Sequence, residues 1–272
     1  MIEPLVDIGV NLTNKRFAAD CRETLIRAQT AGVNRCIVTG TSLESSQAAI
    51  ALCRHYNAEF PGMLSATVGV HPHEASTLDA AMFLELSRLV TENPGIVVAV
   101  GETGLDFNRN FSPPAAQISA FEKQLQLACD TAMPLFLHER DAHNAQMDIL
   151  KTFAGALPNA VIHCFTGDRA SLLNYLESGF YIGITGWICD ERRGQELRDI
   201  VHEIPLDRLL VETDAPYLLP RSLKHKPAGN RNEPAFLPEV VATIAACREQ
   251  SAGEIASAST ANAHRLFHLT RQ

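Results

Sequence analysis

Eight short apolar runs, rich in β-branched residues and separated by longer stretches whose apolar positions recur at three and four, restrict this chain to few folds. The runs read PLVDIGV, RCIVTG, LSATVGV, IVVAVG, PLFLH, AVIHC, FYIGITG and RLLVETD. Each is apolar on both faces and so needs cover on both, which is the condition of strands in a parallel α/β sheet flanked by helices. Eight such units close most naturally into a (β/α)8 TIM barrel, with a doubly wound open sheet as the rival. That rival's signature, GxGxxG or a P-loop after a strand, is missing. Between the runs, Thr41 with Glu44 predicts a capping box, Ser112 ahead of two prolines predicts a helix cap, and Gly32 and Gly179 fit the turn that ends a helix. With 272 residues, 46% of them hydrophobic, and no linker or low-complexity tract, we expect one domain over residues 1–272.

No stretch reaches the roughly 18 to 20 unbroken apolar residues a bilayer crossing needs, and the opening MIEPLVDIGVNL carries an acid where a signal peptide would be basic. The expectation is a cytoplasmic protein with no membrane partner. Seven cysteines, an odd number without a CxxC pair, predict free thiols in a reducing compartment. Cys164 reads either as a ligand or nucleophile or as a small buried hydrophobe. A net charge of −8 excludes a surface that is basic throughout, so any nucleic-acid site must be local.

The chemistry lies where the apolar runs stop. The fourth run ends at Glu102, the fifth at His138, the sixth at His163, and the eighth breaks into Glu212, Thr213 and Asp214. In a barrel these ends converge on one face, although they are far apart in sequence. Two imidazoles and two carboxylates are a metal-binding inventory, and burying that many charges without a cation to share would cost several kcal/mol. A single histidine at a strand end reads equally as a hydrogen-bonded structural residue; the cluster of four is what favours metal. Glu212 points to the same side as Asp214, with a catalytic role and a structural ion pair both open.

The segments GVHPH, GETGLDF, HERDAH, IHCFTG and ETDAPYL, in this order and over essentially the whole chain, resemble the TatD family of metal-dependent deoxyribonucleases. The resemblance implies a barrel of the metallo-dependent hydrolase superfamily. It implies 3′ to 5′ exonuclease action on single-stranded DNA and also RNA. It also implies Glu102, His138 and His163 as ligands of one firmly held divalent metal. Most of the family has DxHxH at the end of the first strand, whereas this chain has Gly9 and Asn11 at the two histidine positions. Asp7 and Asn11 are the oxygen donors left there, and the other metal position is weakened, filled only with substrate, or absent. Oxygen donors that rely on substrate phosphate suit Mg²⁺; Zn²⁺ is the alternative ion in a purified sample, because imidazole binds it more tightly.

On this reading Asp214 is a metal ligand and either orients the attacking water or acts as its general base. Phosphate contacts fall to His71, to Arg140 (for which pairing with Asp141 is the alternative) and to Arg221, Lys224 and Arg231 of the acid-free stretch before Glu233. Trp187 and Tyr217 sit beyond strand ends, where they either stack on bases or pack against loops, and His73 reads as a loop residue. The substrate expectation is single-stranded DNA, with RNA as a further possibility, and no protein partner is inferable. Two other classes stay open: amide or ester hydrolysis, such as a D-aminoacyl-tRNA deacylase, and a non-catalytic nucleic-acid-binding barrel.

Overall fold

The computed structural model describes residues 4–270. Its strands are β1 (Leu5–Val10), β2 (Val33–Val38), β3 (Leu64–Val68), β4 (Val97–Asp106), β5 (Leu135–Arg140), β6 (Ala160–Ile162), β7 (Tyr181–Ile184) and β8 (Leu209–Val211). All seven consecutive pairs are parallel and the sheet order is β1 to β8. The eight apolar runs are the eight strands. Between and after them lie α1 (Cys21–Thr30), α2 (Leu43–Tyr56), α3 (Ala80–Glu92), α4 (Pro114–Thr131), α5 (His143–Thr152), α6 (Arg169–Glu177), α7 (Gln195–Ile200), α8 (Leu237–Arg248) and α9 (Ala252–Leu266).

Strand alternation divides the apolar side chains into two cores. Val6, Ile8, Ile37, Val98, Phe136, Val161, Tyr181 and Leu210 pack together with Ala263, Leu266, Phe267 and Leu269, which belong to α9 and the residues just after it. The larger core joins the other side chains of the strands to the surrounding helices. The barrel is therefore a filled structure, as is usual for this architecture, and chemistry is available only at its rim.

The sheet closes between β1 and the segment after β8. Val10 bridges Ala215, the Asp214 N–H donates to the Gly9 carbonyl at 2.9 Å, and the Asn11 N–H donates to the Ala215 carbonyl at 2.7 Å. Asp7 staples this seam from the side: its carboxyl accepts the Thr213 N–H at 2.9 Å and the Thr213 hydroxyl at 2.5 Å. It is a structural group, fully buried and with its oxygens engaged, and not the oxygen donor anticipated for a metal.

Three local expectations shift. The capping box of α2 is built by Ser42 and Ser45, one residue beyond the Thr41–Glu44 pair, because Ser42 has the extended backbone a cap requires. Ser112 does not cap α4; its hydroxyl donates to the His73 carbonyl and accepts the Ser76 N–H, and Pro113 takes the cap position. β4 runs four residues past Glu102 to Asp106. Gly32 (φ +88°) and Gly179 (φ +79°) do turn the chain after α1 and α6 in the left-handed region. Among the described residues no helix is long and apolar enough to cross a membrane, and all seven cysteines are free.

Burial pushes the Asp7 carboxyl from its ordinary 3.8 up to about 7, against the bonds from Thr213 and Gly9 that oppose the shift. A carboxyl raised by folding stabilises below its unfolded value and loses that contribution as pH climbs through the folded one. Denaturant unfolding of the wild type and Asp7→Asn, compared from pH 4 to 8, should show the wild type losing ground steadily up to about pH 7 and then levelling. A pH-independent difference would show that Asp7 is ionised throughout.

Candidate metal centre

Two glycines let the fourth strand carry its acid into contact with the fifth. Gly101 and Gly104 both have φ +143°, and a Cβ on either would overlap a carbonyl of β5, that of Phe136 or of His138. No side chain fits there, so β4 lies against β5 closely enough to pair Gly104 with His138 and to set Glu102 beside it. His163 follows β6 directly, and His71 lies three residues beyond β3.

These side chains meet at one oxygen. Glu102 Oε1 is 3.1 Å from His138 Nδ1, 3.1 Å from His163 Nε2 and 3.3 Å from His71 Nε2. One ligand atom each from His71, Glu102 and His138 lies within 4.8 Å of the others. Burial would raise the Glu102 carboxyl, but the charges of His163 and His71 and the hydrogen bonds from His138 and His163 hold it well below the usual range. Burial lowers His163 less than Glu212 and Glu102 raise it, so that imidazole stands well above its ordinary value. His138 is raised in the same way by Asp106 and Glu102. His71 is lowered, burial outweighing Glu102.

The nitrogens of these rings differ in what they can do. His71 Nδ1 accepts the His73 N–H at 3.1 Å, which fixes the neutral ring with its proton on Nε2, the atom that faces Glu102. His71 is therefore a donor toward the site, even though distance alone groups it with the ligands. His163 Nδ1 stands 3.0 Å from Glu212 Oε2; with the proton held there, Nε2 keeps its lone pair for a cation. The Nε2 of His138 is buried without a hydrogen-bond partner, its nearest carboxylate oxygen, Asp106 Oδ2, lying 3.6 Å away. That same oxygen holds His73 Nε2 at 2.7 Å. Glu102 with His138 Nδ1 beside it offers a carboxylate and an imidazole to a divalent ion; His163 Nε2 also reaches Glu102 Oε1, although the group of atoms within 4.8 Å of one another takes His71 and not His163 as its third member.

Glu212 explains the departure at position 9. Its carboxylate lies between Gly9, where a Cβ would overlap Oε2, and Gly183, where a Cβ would come within 2.7 Å of Oε1. It also accepts the Cys164 N–H at 2.5 Å. A histidine at position 9 has no room while Glu212 holds His163. Asn11, at the other histidine position, gives its amide N–H to Asp214 Oδ1 at 3.0 Å. Burial pushes the Asp214 carboxyl up to about 7, opposed by the charge of His163 and assisted by those of Glu102 and Glu212.

The structure brings Glu102, His138, His163 and His71 together and sets Asp214 at their edge. The cationic positions divide. Among the described residues Arg140 has no carboxylate partner, Asp141 being held instead by the Asn108 amide at 2.6 Å, and the Arg140 guanidinium lies 5.9 Å over the Trp187 ring. Arg221 approaches Asp190 at 3.9 Å, and Lys224 is exposed. Arg231 is committed elsewhere: it grips Asp20 at 2.6 and 2.7 Å and lies over Phe17, so it belongs to a structural clamp and not to a phosphate track. Desolvation pushes the thiol of the partly buried Cys164 up to about 12, which disfavours the thiolate a nucleophile needs. Sequence reasoning passed over Asp106 and left Glu212 undecided. The signal for Asp106 was the glycine pair before it, and for Glu212 the unexplained glycines in DIGV and YIGITG.

If Glu212 orients His163, Glu212→Gln should keep the fold and bind metal roughly 10- to 100-fold more weakly, by metal titration with a chelating indicator. Gly9→His should not create a second histidine-bound ion; elemental analysis should find no additional metal, and a further equivalent with full activity would contradict the steric account.

Comparison with known proteins agrees with this architecture. Residues 6–268 match the family model described as TatD related DNase. The chain is 50% identical over 265 residues to the 3′-5′ ssDNA/RNA exonuclease TatD of Erwinia tasmaniensis, covering 97% of this chain and all of that one. It is 49% identical to the protein of the same name from Klebsiella pneumoniae, covering 97% and 98% of the two chains. Among solved structures, a hydrolase of the TatD family from Entamoeba histolytica superposes with TM-score 0.90 at 27% identity over 99% of this chain and 100% of that one. The TatD homologue YjjV of Escherichia coli superposes with TM-score 0.88 at 30% identity and the same coverage. By sequence over nearly its full length and by fold, the chain belongs to the TatD-related DNase family.

Proposed function

We propose that this protein is a divalent-metal-dependent nuclease that removes nucleotides from the 3′ end of single-stranded DNA, and of RNA, by hydrolysing the terminal phosphodiester bond. The observation that carries the reading is the convergence of three imidazoles on the Glu102 carboxylate at the carboxyl-terminal rim of a filled barrel. The names of the half-identical relatives supply the substrate and polarity.

Glu102, His138 and His163 Nε2 hold the ion in this reading. A bound divalent ion supplies charge stabilisation to a phosphoryl oxygen and lowers the pKa of water near it. The other groups act on substrate and proton. Asp214 has one carboxylate oxygen occupied by the Asn11 amide, which leaves the second to accept a proton from the attacking water. His71 offers its Nε2–H to a non-bridging phosphate oxygen, the tautomer being set by the His73 backbone. Glu212 and Asp106 hold rings and do not touch substrate. Arg221 and Lys224 approach the phosphates of the remaining strand, the first from beside Asp190 and the second from solvent.

We assign Mg²⁺ as the working ion because few protein ligands leave coordination positions for water and substrate phosphate. Zinc is the competitor in a purified sample, since two imidazoles raise affinity for it.

The test is metal-depleted protein with end-labelled single-stranded DNA and RNA, with and without Mg²⁺ or Zn²⁺, and an aminoacyl-tRNA run beside them. Cleavage restored by Mg²⁺, shortening the strand from its 3′ end, is the expected result; deacylation without nucleolysis would overturn it. His138→Ala and His163→Ala should each abolish cleavage and lose the metal while circular dichroism stays native. Activity at wild-type level in either variant would remove that residue from the site.

A further inference from the structure

A cavity of about 600 Å³ opens beside the metal centre, and nothing assigned so far uses it. Its lining includes Phe107, Arg140, His143, Thr166, Asp168 and Trp187. Four of these place it at the rim: Phe107 follows Asp106, Arg140 lies two residues after His138, Thr166 three after His163, and Trp187 three after β7. Its size falls within the range that holds a small organic ligand.

The wall formed by Trp187 is a fixed platform. The backbone N–H of Trp187 donates to the Thr185 hydroxyl at 3.3 Å, which sets the local turn, and the Arg193 guanidinium covers the ring at 4.4 Å. Arg193 is in turn held by the buried Asp190 at 2.9 Å. Arg193 does not line the cavity, whereas Arg140 does, so it is on the Arg140 side that the indole meets the open space. The Arg140 guanidinium stands off at 5.9 Å, and among the described residues it has no hydrogen bond or ion pair. A planar base between them needs two stacking spacings, about 7 Å. Arg140 would have to move by about 1 Å, and among the described residues no hydrogen bond or ion pair tethers its guanidinium.

Charge decides what enters. Among the described residues, Glu139, Asp141 and Asp168 line the cavity against the guanidinium of Arg140 and the imidazole of His143, so the acids outnumber the permanent cation and a phosphate is disfavoured. The three carboxylates are engaged locally, by the Ala142 N–H at 2.7 Å, the Asn108 amide at 2.6 Å and the Ser171 N–H at 2.8 Å. Their remaining lone pairs suit the N–H donors of a neutral heterocycle, a ring imide N–H as well as an exocyclic amino group.

We propose that this cavity is a nucleobase subsite in which an unpaired base of the substrate stacks on Trp187 and is capped by Arg140. The proposal rests on the nuclease reading and adds a physical reason for single-strand preference: a base must leave its partner to enter. Duplex ends would bind only after fraying.

The chain has one tryptophan, so its intrinsic fluorescence reports Trp187 alone. The experiment titrates Mg²⁺-loaded protein with a nuclease-resistant phosphorothioate oligothymidylate of about ten nucleotides, a length within known single-strand site sizes. An abasic strand of equal length and charge is the control. Fluorescence should be quenched saturably by the base-bearing strand and not by the abasic one. Labelled-strand anisotropy should show the thymidylate binding roughly 10- to 100-fold tighter than the abasic strand, the margin expected of one stacked base, and that margin should collapse in Trp187→Leu and shrink in Arg140→Gln. Equal binding of the two strands, or tight binding without quenching, overturns the subsite; if unmodified DNA is still cut with Mg²⁺ in the same preparation, the nuclease reading stands. Absence of both binding and cleavage overturns both.

Discussion

The carboxylate of Glu102, almost fully withdrawn from water and ringed by imidazole nitrogens, is the group on which the arrangement depends. An isolated buried carboxylate costs several kcal/mol, enough to consume much of a domain's net stability, so the fold tolerates it only with positive charge close by. Protonated imidazoles supply that charge in the absence of an ion, and a divalent cation supplies it when bound. The strand geometry follows from the same need: β4 can press against β5 because Gly101 and Gly104 present no side chain, and that approach sets the acid beside His138.

Around this centre the protein fixes ring orientation with a second set of acids. Glu212 faces His163, Asp106 faces His73 and His138, and Asn11 holds Asp214 through an amide. Gly9 and Gly183 make room for the Glu212 carboxylate. The missing histidine at position 9 therefore follows from what occupies the same space. On the seam, Asp7 takes the role of closing the barrel by gripping Thr213, which fixes the backbone that leads into Asp214.

The strands were legible in the sequence because a parallel barrel buries both faces and writes unbroken apolar runs of five or six residues. The polar break at the end of four runs exposed Glu102, His138, His163 and Asp214 for the same reason. What escaped lies where local chemistry competes. Asp106 sits in the last position of a strand whose extension depends on glycines, and extra strand length past a charged residue has no periodic signature. Ser112 has the composition of a helix cap but is drawn off by the His73 loop, a contact 39 positions away that no local pattern contains. Arg231 belongs to a basic stretch by composition, yet Asp20, over two hundred residues earlier, claims it. The tautomer of His71, which separates a hydrogen-bond donor from a ligand, rests on one backbone N–H and needs coordinates to be read.

Anomalous diffraction from crystals grown with Mn²⁺ in place of Mg²⁺ locates the ion directly. The account predicts the strongest peak within about 2.0 to 2.3 Å of a Glu102 oxygen, a His138 nitrogen and His163 Nε2, with His71 at hydrogen-bonding distance from whatever ligand completes the shell. A peak on the seam side among Asp7, Asn11 and Asp214, with His163 left bonded to Glu212 alone, would contradict it.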